Sequence, residues 1–231
     1  MTPELAAIFA TNFNIYQKII AGNYMRHAEM GAQTQVAFEG LEIKHPLHVL
    51  DFGCGDAQPI IPKLKLRSVA AYTGYDLSAV ALEFAKQNLK AVDCQVQLRE
   101  LPMQAFIELE MGNFDIIHSS YAIHHLQDDE KRHLLQNCFN RLRNGGIMIV
   151  IDIFRNEGQS RHDYIEEYIS NIGLTWQTIT QAEKEMVYYH MRNYDFPAYT
   201  GDIINWAGTV GFTIEEHHID RLHTMLLLKK S

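Results

Sequence analysis

The chain has 231 residues, enough for one domain with an insertion, and 47% of them are hydrophobic, enough for a sizeable core. A formal net charge of −8 and the lack of any Lys/Arg run argue against a large RNA or DNA substrate. No apolar stretch reaches membrane-spanning length and no signal peptide is evident. The three scattered cysteines, Cys54, Cys94 and Cys138, suggest a reducing compartment without a disulfide framework, so a cytoplasmic protein is expected.

In chain order, Thr2-Pro3-Glu4 reads as a helix start, with Leu5, Phe9, Phe13, Tyr16 and Ile20 on one face and Gly22 as the stop. A second helix is expected over 24–38, closed by Gly40. Strands then alternate with helices, the pattern of a parallel sheet. The predicted strands are 47–52, 70–76, 94–99, 114–119 and 146–153. Pro59 and Pro62 predict a late or bent helix after the first strand. Ser78 should cap the helix over 80–89. Asp128 should cap the helix lined by Leu134, Leu135, Cys138, Phe139 and Leu142. Arg141 and Arg143 would complement its C-terminal dipole, and Asn144-Gly145-Gly146 would end it. Residues 155–210 do not alternate with strands and read as a helical insertion rich in tyrosine. After Gly211, a terminal hairpin turns near Asp220. The division expected is a helical cover (1–40), a cofactor-binding core (45–155), the insertion as an acceptor lid (155–210) and the hairpin (211–231), all in one domain.

The most informative stretch is Val49-Leu50-Asp51-Phe52-Gly53-Cys54-Gly55, an apolar strand feeding a tight turn. Gly53 and Gly55 can take positive φ and carry no Cβ to block a ligand. The dinucleotide fingerprint places its third glycine where this chain has Gln58. A GxGxG-type turn with Ala57 in the last place fits better and suits a ligand with no pyrophosphate to wrap. The next strand ends in Asp76, about 20 residues on, where a carboxylate can accept hydrogen bonds from ribose hydroxyls.

With Gly74-Tyr75-Asp76-Leu77-Ser78, the run from Phe114 to Leu126 and the run from Leu142 to Asp152, these segments make the chain resemble the class I S-adenosylmethionine-dependent methyltransferases. The resemblance covers roughly residues 45–155 strongly and looks closest to the small-molecule branch, with its His-His-Leu after the fourth strand. Ala57 departs from the family's last glycine, and Asn144 stands where a proline is common. The resemblance implies an α/β, three-layer Rossmann-like fold. Its seven-stranded, mostly parallel sheet would carry a C-terminal antiparallel hairpin, two N-terminal helices and a helical insertion before the hairpin.

It also implies S-adenosyl-L-methionine as cofactor and a set of roles. Gly53 and Gly55 would contact the methionine portion through their backbone, and Asp51 would orient the turn or bind the ammonium through water. Asp76 would hold the ribose and Leu77 would flank the adenine. Glu100 and Leu101 would serve the adenine edge. Ser119 or Ser120 would touch the sulfonium end, with Tyr121 beside it, while Tyr16 and Arg26 could reach the cofactor carboxylate. His124, His125 and His190 are weak candidates for an acceptor-side base. Adjacent histidines do not share a face, so only one of His124 and His125 is expected in the site. Asp152 lies at the carboxyl edge of the sheet, and Tyr194 and Tyr199 are candidates for the acceptor wall. No carboxylate–histidine spacing suggests a metal site, and none is expected.

Methyl transfer from a sulfonium needs little beyond positioning, so the acceptor leaves few marks in sequence. The expected function is transfer of a methyl group to an oxygen or nitrogen nucleophile of a small molecule. The competing readings are a non-catalytic S-adenosylmethionine-binding partner or sensor, an NAD-dependent oxidoreductase, which Gln58 argues against, and a methyltransferase acting on protein or tRNA. No membrane or nucleic-acid partner is expected, and a homodimer is an open alternative.

Overall fold

A computed structural model describes residues 13–106, 112–218 and 220–231. Seven strands form one sheet: β1 (Leu47–Phe52), β2 (Val69–Asp76), β3 (Gln95–Glu100), β4 (Phe114–Ser120), β5 (Leu142–Ile153), β6 (Thr213–His218) and β7 (His223–Lys229). Their order is β3-β2-β1-β4-β5-β7-β6. β1 to β5 pair in parallel, and β7 runs antiparallel to both β5 and β6. The sheet is therefore the Rossmann-like methyltransferase arrangement that the resemblance implies. The chain winds outward from β1 through β3 and returns to β4, which puts the topological switch point, where such sheets bind ligands, between β1 and β4.

Burial explains the strands. Leu47, Val49, Leu50 and Phe52 are all buried because helices cover both faces of the sheet. One buried cluster joins β1 and β2 to the N-terminal helices and Trp176. A second joins Leu50, Phe52 and Ile117 to Leu134, Leu135 and Ile203.

The helices are α1 (13–21 of the described chain), α2 (His27–Glu39), α3 (Ile61–Leu64), α4 (Ala79–Asn88), α5 (Asp128–Arg141), α6 (Arg161–Thr175), α7 (Gln181–Tyr194) and α8 (Thr200–Val210). The expected cap at Thr2 and the positions of Leu5 and Phe9 lie outside the described residues. Within α1, Ile15 and Ile19 enter the core, whereas Phe13, Tyr16 and Ile20 of the predicted face are only partly buried. The proline-flanked α3 is four residues long, because Pro59 and Pro62 each remove a backbone donor. Ser78 caps α4 as its sequence suggests, accepting from Ala81 N–H. At α5 the cap is Gln127, not Asp128: Glu130 folds back to accept from the Gln127 N–H at 2.8 Å. Arg143 does not serve the end of α5 but donates to the buried Asp115 at 2.7 Å, and β5 starts at Leu142, four residues earlier than expected. Helices α6 and α7 pack on each other, while α8 lies on α5 and leads through Gly211 (φ +118°) into β6.

Candidate active site

The turn after β1 is built as its glycines suggest. Gly53 has φ +65° and Gly55 φ +53°. A Cβ on Gly53 would come within 2.5 Å of Ala122 Cβ, whereas one on Gly55 would meet nothing within 4 Å and would project into open space. Ala57 holds φ +57°, so the left-handed backbone of the family's last glycine is kept without the glycine. Asp76 braces the turn across the strand ends, Oδ2 accepting from Gly55 N–H and Oδ1 from Ser78 N–H, both at 2.8 Å. Burial raises the Asp76 pKa above the ordinary carboxylate value, against the opposing pull of these N–H groups. Each carboxylate oxygen keeps a lone pair for a further donor.

A cavity of about 220 Å³ opens over the carboxyl ends of β1 to β5. Of the residues singled out from sequence, Gly53, Gly55, Asp76, Leu77, Leu101, Ser120, Tyr16, Tyr121, His124, His125 and His190 line it. Phe13, Tyr75, Met103, Tyr168, Trp176 and Met191 add an apolar wall. Tyr121 takes φ +53° and donates its hydroxyl to Met25 O, tying the strand end to the N-terminal cover.

Four of the candidates for the cofactor fall elsewhere. Glu100 pairs in register with Asp76 but is exposed on the edge strand, and the cavity wall continues with Leu101 and Met103. Ser119 is fully buried beneath the floor, since alternate residues of a strand face opposite ways and Ser120 takes the cavity side. Asp51 accepts from Tyr72 Oη at 2.8 Å, has His118 Nδ1 at 2.7 Å, and borders a separate chamber of about 50 Å³. Arg26 is engaged by Asp220 at 2.9 Å and Glu29 at 3.4 Å and does not line either space. The cation that does border the smaller chamber, alongside Asp51, Gly53 and Tyr16, is Lys63, which sequence reasoning missed. Tyr194 and Tyr199 do not line the main cavity.

At the opposite end from the glycine turn, His124 and His125 share one 3₁₀ turn, Ile123–His125, and both face the cavity. The expectation that only one could do so fails because the tight turn is not an extended strand. Their rings stand 4.0 Å apart. His124 Nδ1 lies 2.5 Å from Asp152 Oδ1, and Asp152 Oδ2 also accepts the His124 backbone N–H. Asp152 thus acts through His124 from a fully buried position.

Facing them is Asp195, which no motif announced: it follows α7, distant in sequence. His125 Nδ1, His190 Nε2 and His124 Nε2 lie 3.2, 3.3 and 3.7 Å from its Oδ1. Burial alone would raise the Asp195 pKa, but the histidines hold it well below the carboxylate range. Burial, then the neighbouring His124, pushes His125 down to about 4. Burial also opposes charge on His124, yet Asp152 and Asp195 outweigh it and raise its pKa.

The corner is anchored by Lys131 of α5, whose buried Nζ donates to Leu126 O, Phe196 O and Asp128 Oδ1 at 2.7, 2.5 and 3.0 Å. Phe196 N–H donates to His124 O at 2.7 Å.

A parallel sheet with this switch point, a GxG turn braced by an acidic residue on β2, and an antiparallel terminal hairpin define a nucleoside-cofactor-binding methyltransferase fold. Residues 49–146 match the methyltransferase domain family, and the fold around them is that of the class I S-adenosyl-L-methionine-dependent methyltransferases. It is 30% identical over 122 residues to an uncharacterized methyltransferase of Synechocystis sp., covering 52% of this chain and 54% of that protein. It is 24% identical over 168 residues to the phosphoethanolamine N-methyltransferase of Plasmodium falciparum, covering 72% of this chain and 61% of that one. The chain thus spans between half and two thirds of these relatives' lengths. The plantazolicin methyltransferase BpumL, solved with S-adenosylhomocysteine, shares the fold with a TM-score of 0.65 at 15% identity, over 99% of this chain and 96% of that one. No helix among the described residues is long and apolar enough to cross a membrane.

Proposed function

We propose that this protein transfers a methyl group from S-adenosyl-L-methionine to an oxygen or nitrogen nucleophile of a small molecule. The observation that carries the reading is that one cavity holds both the glycine turn with Asp76 and, at its far end, the His124–His125–His190–Asp195 corner. Cofactor and acceptor would share this cavity, where fixed groups align the reacting atoms.

The residues suit the cofactor. The open space at Gly55 admits a ligand against the backbone, and the spare lone pairs of Asp76 suit two ribose hydroxyls. Leu77, Leu101 and Met103 form an apolar slot beside Asp76 for a flat base. Lys63, rather than Arg26, is the cation that we assign to the cofactor carboxylate. When bound, the cofactor supplies an electrophilic methyl group and leaves as a neutral thioether.

The far wall comes from α6, α7 and the loop after them, through Tyr168, Trp176, Val187, His190, Met191 and Asp195. It is apolar with a polar corner, as expected for a partly apolar acceptor that presents one ionisable atom. The Plasmodium relative is by name an N-methyltransferase, which supports a nitrogen acceptor as readily as an oxygen one.

The test is calorimetric binding of S-adenosylhomocysteine together with radiolabelled methyl transfer to a panel of small phenols, amines and acids. Wild type should bind and transfer. Asp76→Ala should lose about hundredfold in affinity, about 2.7 kcal/mol for two hydroxyl contacts to a carboxylate. Wild-type affinity in that variant would remove the site assignment. Binding without transfer to any of the panel, or to protein and tRNA instead, would remove the acceptor assignment.

A further inference from the structure

The geometry points to a divalent transition-metal site at the far end of the cavity, with His124, His125 and Asp195 as its ligands. Among the described residues this is the group whose ligand atoms all lie within 4.8 Å of one another. The two histidine nitrogens stand 3.7 and 3.2 Å from Asp195 Oδ1. Two ligands each about 2.1 Å from one ion, at octahedral to tetrahedral angles, are separated by about 3.0–3.4 Å. The His125 spacing falls in that range, and the His124 ring, at 3.7 Å, reaches it with a shift of about 0.3 Å.

A second observation points the same way. Asp195 Oδ1 is buried, and its ring-nitrogen neighbours lie at 3.2–3.7 Å without the alignment of a strong hydrogen bond. An ion between this oxygen and the His124 and His125 rings would replace those long contacts with direct bonds, His125 Nδ1 exchanging its 3.2 Å approach to Tyr194 O for the ion. A third is the outer nitrogen of His124: Asp152 Oδ1 sits 2.5 Å from Nδ1 and turns Nε2 toward Asp195. This is the carboxylate–histidine–metal relay that fixes the tautomer of a ligating histidine. Lys131 and the Phe196-to-His124 hydrogen bond hold the two ligand-bearing segments together from outside.

Two histidines and a carboxylate leave positions open, and all three residues face the cavity. Resting on the function proposed above, the open positions would take the acceptor's heteroatom. An acceptor X–H bound there would lose its proton to solvent as its lone pair joins the ion, the same effect that lowers the pKa of metal-bound water. Acceptors with a second donor atom next to the methylated one, able to chelate, form the favoured class. His190, 3.3 Å from Asp195 Oδ1, stands as the outer neighbour of the site.

The experiment uses the untagged full chain, stripped with a chelator and titrated with Zn²⁺ by calorimetry and with Co²⁺ by visible absorption. One equivalent should bind at micromolar affinity or better, and Co²⁺ should show ligand-field bands. Asp195→Asn and His125→Gln should each weaken binding at least tenfold while S-adenosylhomocysteine binding and circular dichroism stay as in wild type. Absence of a stoichiometric site for either ion in wild type overturns the proposal, and so does unchanged affinity in both variants. Should either variant fail to fold, the wild-type stoichiometry and Co²⁺ spectrum decide alone. Metal binding without methyl transfer removes the proposed function and leaves the site standing. Full-rate transfer by protein that binds neither ion removes the site and leaves the function.

Discussion

His27, at the start of α2, offers a direct test of the electrostatics beneath the N-terminal cover. The residue is partly exposed, but both ring nitrogens are shielded from water and have no hydrogen-bond partner among the described residues. The Tyr16 and Tyr121 rings lie against it, at 6.1 and 5.1 Å. Burial, then the nearby His223, pushes its pKa down to about 4, with Glu29 pulling weakly the other way. Between about pH 6.5 and 4 the unfolded chain therefore carries a proton at His27 that the folded chain refuses. Stability from this residue is intact above pH 6.5 and lost as pH falls through that window. The linkage amounts to about 2.5 kcal/mol between pH 7 and 4.5. His27→Phe keeps a ring against both tyrosines and removes the titration and the two unsatisfied nitrogens. Urea unfolding of both proteins at pH 7 and 4.5 should show wild type losing about 2.5 kcal/mol more than the variant on acidification. Losses that run parallel would mean that His27 titrates normally and that the reasoning from its buried nitrogens is wrong.

Lys63→Met should raise the dissociation constant for S-adenosylhomocysteine about tenfold, roughly 1.4 kcal/mol, while Arg26→Met leaves it unchanged; the opposite ranking by calorimetry would return the carboxylate to Arg26. Gly53→Ala combines a left-handed φ with a 2.5 Å approach to Ala122 Cβ, and should cost about 2–4 kcal/mol in chemical unfolding. Lys131→Met strands the Leu126 and Phe196 carbonyls, and a loss of about 2 kcal/mol is expected in the same assay; a loss below 0.5 kcal/mol would show that the buried ammonium contributes no net stability.

The cofactor end was legible in sequence because local chemistry dictates it. A buried strand, two glycines at positive φ and an acidic strand end are consequences of short segments, and the sheet placed Gly53, Gly55 and Asp76 together as their spacing implies. Strand ends were less legible: the choice between Ser119 and Ser120 was open until strand parity put Ser120 on the cavity side, and Glu100 belongs to an edge strand whose side chains meet solvent. The far end was not legible. Asp195 reaches His124 across 71 residues, and Lys63 is brought to the same small chamber as Asp51 by a helix cut short by prolines, so neither placement leaves a periodicity or motif. His124 and His125 were misjudged because alternation was assumed where the backbone forms a 3₁₀ turn.

The tie between the segment after β4 and the segment after α7 rests mostly on main-chain atoms: Lys131 grips the carbonyls of Leu126 and Phe196, and Phe196 N–H meets the carbonyl of His124. Any residue supplies such atoms. A lineage can therefore vary the exposed and cavity-facing side chains along α6 and α7 and still inherit the same docking of that segment on the sheet. The fold in this way uncouples drift in the far wall from the register of the glycine turn, and a graft of residues 161–194 from a relative is the natural unit of exchange.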